Sequence, residues 1–414
     1  MINWFYDCYQ ILNKVYSDKT FVKQAISSTF IEEKNRALTV KTVYGVLDKD
    51  IELSYYISAL CDKNPKLAIR TILKISLYAI KYLDKHGYAV TKNAVELTKK
   101  LGKGGAAGFV NAFLRKYLST EIPLPKDKFE RLSVKYSYPL FMVKEIVSDY
   151  GEQRAEKIMA AENAKTSLAF YETDGEEYLK EKGYIYQKTP LNNVYLLDNF
   201  VRNADYDKGV YTYQAIGSAA ICDMVEPCEK LLDCCAAPGG KSIRLSYKCD
   251  EVYSCDVYPH RVELINEYAE RMKRKNIRTF ILNGKENEPS FNDFFDAVLC
   301  DAPCSGSGVM NDNPDIKLNR QEENVTELCA EQIKILENVC KYVKVGGYLY
   351  YSTCSLFKRE NGKNVERFLK NHDNFVPERV NSPLPCEKDG ESVMFLPDIS
   401  GGNGFFFAKL KRVK

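Results

Sequence analysis

Two cysteines stand where a folded chain would have chemistry to perform. Cys304, in Asp301-Ala-Pro-Cys304-Ser-Gly306, and Cys354, in Tyr351-Ser-Thr-Cys354-Ser355, each follow a short apolar run of the kind that forms a buried strand. A cysteine is by default a small buried hydrophobe. A thiol at the C-terminal tip of a parallel strand is a different case, because reactants lie along that edge of such a sheet. There a thiolate can act as the nucleophile of a covalent mechanism.

A ligand site is expected beside them. In Lys230-Leu-Leu-Asp-Cys-Cys-Ala-Ala-Pro-Gly-Gly-Lys241 two leucines lead into a small-residue turn, and an amphipathic stretch from Ser242 to Cys249 follows. The pattern reads as a buried strand, a glycine turn and a helix start, which lets backbone N–H groups approach a ligand closely. The phosphate-loop reading fails because its first glycine would fall at Cys235, and the three spaced glycines of a dinucleotide loop are absent. About 20 residues on, the next strand ends at Asp256, where an acid can grip ribose hydroxyls. Seen alone, an acid there would more simply cap a helix. The third strand ends near Asn283, whose amide could meet an adenine edge. Together these residues outline a nucleoside pocket.

The elements that would position these groups alternate. Strands are predicted at 231–234, 252–257, 279–282, 297–300 and 348–352, with helices near 259–275, 322–344 and 359–371. Strand–helix alternation specifies a doubly wound parallel sheet that binds ligands at its strand C-termini. The closing segment from Gly404 to Lys411 is expected to be an edge strand. Residues 1–120 read as helical throughout: in Thr71–Leu83 apolar residues recur at three- and four-residue steps, and Gly102 stops the helix ending at Leu101. Pro123, Pro125 and a charged run to Arg131 mark a linker, residues 132–165 look helical, and 168–210 fit a small α+β connecting domain. The expected division is therefore 1–122, 123–208 and 209–414.

The chain of 414 residues is long enough for several cores, with ordinary globular composition. It shows neither a secretory leader nor an apolar run long enough to span a membrane, so a cytoplasmic protein is expected. Its 14 cysteines read as reduced thiols, and without a Cys-x-x-Cys pair and with three histidines no metal site is expected. Residues 1–120 carry 19 basic and 10 acidic residues, a net charge of +9, against −6 for the remainder. Such a basic module suits a polyanion, and Lys99, Lys100 and Lys103 are candidate phosphate contacts.

Asp233-Cys-Cys-Ala-Ala-Pro-Gly-Gly-Lys241, Asp301-Ala-Pro-Cys304-Ser-Gly306 and Ser352-Thr-Cys354-Ser355, in this order, resemble the motifs of the RNA cytosine-5 methyltransferases of the RsmB/NOP/Sun group. Arg36-Ala-Leu, Val43-Tyr-Gly-Val46, Ala94-Val-Glu-Leu97 and Ala106-Ala-Gly-Phe-Val-Asn111 resemble the NusB-type RNA-binding domain, a fusion typical of the bacterial RsmB branch. The resemblance implies a multidomain chain: an all-α NusB-like bundle, a small α+β connecting domain and an α/β Rossmann-like class I methyltransferase domain. It implies S-adenosyl-L-methionine as cofactor and RNA, small-subunit rRNA, as substrate. By the family pattern Cys354 is the nucleophile, Cys304 assists release of the adduct, and Asp301 positions the cytosine. Cys235, Ala236, Ala237, Pro238, Gly239, Gly240, Lys241, Asp256, Asn283 and Asp301 line the cofactor pocket. Because a free thiol is only a few per cent ionised near neutral pH, the site should favour the Cys354 thiolate, with Lys241 a candidate cation. Several positions depart from the pattern. Asn283 replaces an acid, Asn311 and Asp312 replace paired arginines ahead of Asn313-Pro-Asp-Ile-Lys317, and Leu318, Ala215, Asn403 and Ala169 replace other family residues. The same chemistry on tRNA, and a non-catalytic RNA-binding assembly factor that keeps the pocket, are the alternative readings.

Overall fold

The structure, a computed structural model, describes residues 2–161, 165–198 and 200–414. The end of the expected helical stretch at 162–164 lies outside them. The chain forms two compact units, one running to Ala160 and taking in Met310–Gln321, the other comprising Ala161–Val309 and Glu322–Lys414.

The first unit is helical. Its hub is the helix Leu67–Lys81, in which every residue from Thr71 to Ala79 is buried, so it is surrounded on all sides. The helices Ile2–Asp18, Glu33–Asp48, Asp50–Leu60, Gly87–Lys100 and Ala107–Ser119 pack a shared core around Ile72, Leu73 and Leu77. A buried lysine on the hub, Lys74, is retained because Asp50 meets it at 2.6 Å. The proline-marked linker gives way to Lys128–Tyr136, started by the Asp127 carboxylate, which accepts from the Phe129 and Glu130 amides. Leu140–Tyr150 and Glu152–Ala160 complete this part. Residues 310–321 belong here too. The Asp315 carboxylate accepts from the Val22 amide, and Lys317 Nζ lies 2.6 Å from the Asp48 carboxylate. Burial alone would raise the Asp48 carboxyl, but the Lys317 and Lys49 ammoniums outweigh it and hold it below the usual range.

The second unit holds two sheets. The smaller is antiparallel, with β1 (Thr166–Ala169), β2 (Tyr186–Lys188), β3 (Val194–Leu197) and β4 (Thr212–Tyr213) in the order β2-β3-β1-β4. Its core is aromatic, built on Phe170, Tyr178, Tyr195 and Tyr211. The larger sheet contains β5 (Lys230–Asp233), β6 (Glu251–Asp256), β7 (Ile277–Ile281), β8 (Phe295–Asp301), β9 (Val343–Thr353), β10 (Phe375–Glu378), β11 (Glu387–Asp389), β12 (Ser392–Phe395) and β13 (Phe405–Arg412). The order is β11-β12-β13-β9-β8-β5-β6-β7, with β10 also on β13. β5 to β9 are mutually parallel, as the alternation predicts. The chain leaves β5 toward β6 and β7 and returns to β8 on the other side. The strand order therefore reverses between β5 and β8, where such sheets bind ligands.

The closing strand corrects an expectation. β13 is interior, flanked by β9 on one side and by β12 and β10 on the other. Its residues from Phe405 to Leu410 are buried, and β10 to β12, which the alternation did not reveal, supply the covering neighbours.

Candidate active site

The turn after β5 is held by its own backbone: the Ala236 amide donates to the Cys255 carbonyl and Gly239 N to the Ala236 carbonyl. Gly239 has φ +106°, a conformation that favours glycine, and a Cβ there would meet Ile265 at 3.3 Å. The turn runs into the helix Gly240–Leu245, shorter than expected because the chain makes turns from Tyr247 to Cys249. Gln214 Nε2 donates to the Gly240 carbonyl, and its Oε1 accepts from the Tyr171 hydroxyl.

Three acids meet at the strand tips. Asp233, fully buried, accepts from Ser242 Oγ through Oδ2, while its Oδ1 has no hydrogen-bond partner. Burial, opposed by Ser242 and reinforced by nearby Asp301, pushes its carboxyl up to about 7. Asp256 ends β6, with Arg261 3.4 Å away. It does not cap the following helix, which begins at Pro259 with no side-chain cap. Asp301 ends β8 and accepts from Lys241 Nζ at 2.6 Å and from Ser352 Oγ at 2.7 Å. The Lys241 ammonium is thus committed to Asp301; burial works against it, but the carboxylate wins and raises its pKa. Asn283 follows β7 and turns its side chain back on its own loop, donating to Glu286 and accepting from the Lys285 amide.

The cysteines come together. β8 and β9 are registered so that Asp301 pairs with Ser352, and the two thiol-bearing loops leave the sheet side by side. Their sulfur atoms lie 3.2 Å apart, and both residues are half-buried. The Gly308 amide donates to the Cys354 carbonyl, tying one loop to the other. Contact with Cys354 first, then burial and then the nearby Glu360 carboxyl push the Cys304 thiol well above the ordinary range.

The sequence reading missed Ser242, Ser352 and Arg261. Ser242 and Ser352 sit inside motifs already singled out, and their facing acids could have marked them. Arg261 acts through the folded loop, on Asp256 and the Ala237 carbonyl, and leaves no local signal. Of the expected phosphate contacts, Lys100 Nζ stands 3.8 Å from the Tyr6 ring centroid. Lys103 joins Lys63, Lys66, Pro65, Ile69 and Phe109 around a hollow of about 460 Å³. Phe109 is 42% exposed, and none of the three lysines makes an ion pair among the described residues. Among those residues no cluster could hold a metal ion, and no helix is long and apolar enough to cross a membrane.

The turn fits a nucleoside-bearing cofactor on two structural grounds: the orphaned Asp233 oxygen, and Gly240, where an added Cβ would meet nothing within 4 Å. The family "16S rRNA methyltransferase RsmB/F" matches residues 222–411, and the "NusB family" matches residues 8–119. The "Probable ribosomal RNA small subunit methyltransferase B" of Bacillus subtilis (strain 168) is 31% identical, over 97% of this chain and 95% of its own. The "Ribosomal RNA small subunit methyltransferase B" of Photorhabdus laumondii is 27% identical, over 92% of each chain. Among solved structures, PH0851 aligns over 99% of this chain and 98% of its own with a TM-score of 0.84 and 21% identity. NSun6 from Pyrococcus horikoshii with SFG aligns over 67% of this chain and 99% of its own with a TM-score of 0.60 and 18% identity. At these identities the two structures speak for the fold.

Proposed function

Because the chain belongs to the RsmB/F family of 16S rRNA methyltransferases, we propose that it methylates C5 of a cytosine in small-subunit ribosomal RNA, using S-adenosyl-L-methionine. The observation that carries the C5 chemistry is the pair of sulfur atoms 3.2 Å apart at the tips of β8 and β9. Cytosine C5 is a poor nucleophile. The Cys354 thiolate adds to C6, forming a carbon–sulfur bond and turning the ring into an enamine with electron density at C5. S-adenosyl-L-methionine, when bound, supplies the methyl group. A base, water or a side chain at the site, takes the C5 proton; the C–H electron pair re-forms the C5–C6 double bond and expels the Cys354 thiolate from C6. Cys304, beside the departing sulfur, assists that release.

The turn Cys235–Lys241 and Asp256 would hold the cofactor, with Asp301, fixed by Lys241 and Ser352, facing both cofactor and base. Asn283, engaged with its own loop, contributes less than the strand-tip acids. The base must be unstacked to reach the thiol. In the first unit the Lys63, Lys66 and Lys103 hollow floored by Phe109 suits single-stranded RNA, with phosphates on the lysines and a base against the ring. Action on ribosomal RNA suits a cytoplasmic enzyme.

The test is methylation of 16S rRNA and of bulk tRNA in parallel, with nucleoside analysis of each. The reading predicts 5-methylcytosine in the 16S rRNA alone. Product in tRNA alone would reassign the substrate, and cofactor binding without methyl transfer to either would reduce the protein to an RNA-binding factor.

A further inference from the structure

A buried carboxyl group lies behind the two thiols and belongs to neither motif. Glu360, between β9 and the helix Gly362–Asn371, is 0% exposed. Among the described residues it has no lysine, arginine or histidine within ion-pair distance. Burying a carboxyl without a cation is costly unless hydrogen bonds satisfy it, so its partners indicate what it is for. They are the residues immediately after the two cysteines. Oε1 accepts from the backbone amide of Ser305 at 2.8 Å, and Oε2 accepts from the hydroxyl of Ser355 at 2.5 Å. One carboxyl therefore spans the loop that carries Cys304 and the loop that carries Cys354.

The surroundings reinforce the clamp from both sides. Gln332 donates to Glu360 Oε1 and to the carbonyl of Pro303, the residue before Cys304, at 2.9 Å each. The hydroxyls of Ser305, Ser307 and Ser355 lie within 3.1 to 3.2 Å of one another. The next residue, Asn361, accepts from the Thr353 hydroxyl and donates to the Ser355 carbonyl, holding Cys354 from either flank. The side chains of Glu360, Gln332, Asn361, Thr353 and the three serines are all buried. Their joint effect is to fix the separation and register of two sulfur atoms that lie 50 positions apart in sequence.

We propose that Glu360 is a positioning residue for methyl transfer: by bridging Ser305 and Ser355 it holds Cys304 and Cys354 side by side over one pyrimidine ring. This rests on the reading of the two cysteines as the reacting pair. Glutamine at 360 is not a silent replacement. Its oxygen can still accept from Ser305 and Gln332, but its amide nitrogen then faces Ser355, whose hydroxyl must give up its donation to residue 360 and turn toward Ser305 or Ser307, exchanging a charge-assisted bond for a weaker neutral one. Because the clamp acts on the spacing of the thiols rather than on ligand binding, its loss should fall on kcat and leave KM almost unchanged.

The test compares Glu360→Gln and Ser355→Ala with the parent enzyme by two readouts. The first is steady-state methylation of 16S rRNA. The second is the rate at which diamide couples Cys304 to Cys354, each thiol giving up its hydrogen as diamide is reduced to the hydrazine, with the disulfide mapped by mass spectrometry. The clamp predicts for Glu360→Gln a kcat at least tenfold lower, KM values for RNA and cofactor within threefold of the parent, and disulfide formation slowed at least fivefold. Ser355→Ala should move both rates the same way by a smaller factor. A folded Glu360→Gln protein with kcat and disulfide rate within twofold of the parent overturns the proposal, as does a lower melting temperature with unchanged rates at permissive temperature. If Glu360→Gln fails to fold, Ser355→Ala decides on the same two readouts. The disulfide rate needs no catalysis, so it judges the clamp even if Cys354→Ala were to retain activity and the assignment of the nucleophile fell.

Discussion

At the scale of single residues, the site works by pairing each charged or reactive group with a neighbour that fixes its state. Lys241 was legible as a cation at a ligand turn, yet its partner was not, because Asp301 lies 60 positions away and only the β5–β8 pairing brings them together. Asp233 shows the same gap. Its place at a strand tip is readable, but its burial without a cation is a property of the fold. Because the folded carboxyl is raised to about 7, the native state keeps its proton at pH values where the unfolded chain has lost it. The stability this group contributes is complete below about pH 4, the ordinary aspartate range, and is lost as pH rises through about 7. Replacing Asp233 by Asn should therefore reduce the fall in stability of β5 between pH 5 and pH 8 by about 2 kcal/mol, measured by hydrogen exchange of the β5 amides. An unchanged pH dependence would show that another group carries it.

At the scale of elements, the five parallel strands were legible because alternating apolar runs and helical segments leave a strong periodic trace. β10 to β12 are short and follow irregular chain, so they leave little trace, and without them β13 reads as an edge. Its interior position matters to the site. Gly404, at the entry to β13, donates its amide to the Gly308 carbonyl, and Gly308 in turn donates to the Cys354 carbonyl. A Cβ at 308 would lie 2.2 Å from the Gly404 carbonyl oxygen and 2.9 Å from that of Cys354, both backbone atoms that can yield only by moving their strands. Gly308→Ala should lower kcat about tenfold or more in a protein that still binds cofactor, because displacing reacting groups by a fraction of an ångström carries that cost. Parent-like turnover would mean that the two loops tolerate separation.

At the scale of the whole molecule, the charge division of the sequence marked a polyanion-binding first third, and the matched NusB family covers the same residues. The inclusion of residues 310–321 in the first unit was not legible, because nothing in that stretch announces that its partners are Val22 and Asp48. Lys317 has a side chain only 2% exposed and is committed to Asp48. The exposed lysines around Phe109 are the RNA contacts proposed above. Changing Lys63, Lys66 and Lys103 together to Ala should raise KM for RNA about tenfold and leave KM for the cofactor unchanged. The salt dependence of RNA binding should flatten by about 2 in log–log slope, the share of three phosphate contacts on a single strand. An unchanged slope would move the RNA contact elsewhere on the unit.

The claim on which all three scales converge is that Cys354 attacks the target base with Cys304 beside it. The most direct measurement is to incubate the enzyme with S-adenosyl-L-methionine and RNA containing 5-fluorocytosine, which has no C5 proton to lose and so arrests the adduct, and then to sequence the RNA-linked peptide. The account predicts RNA bound to Cys354, and no adduct from the Cys354→Ala protein. RNA attached to Cys304 instead, or full turnover by Cys354→Ala, would contradict it.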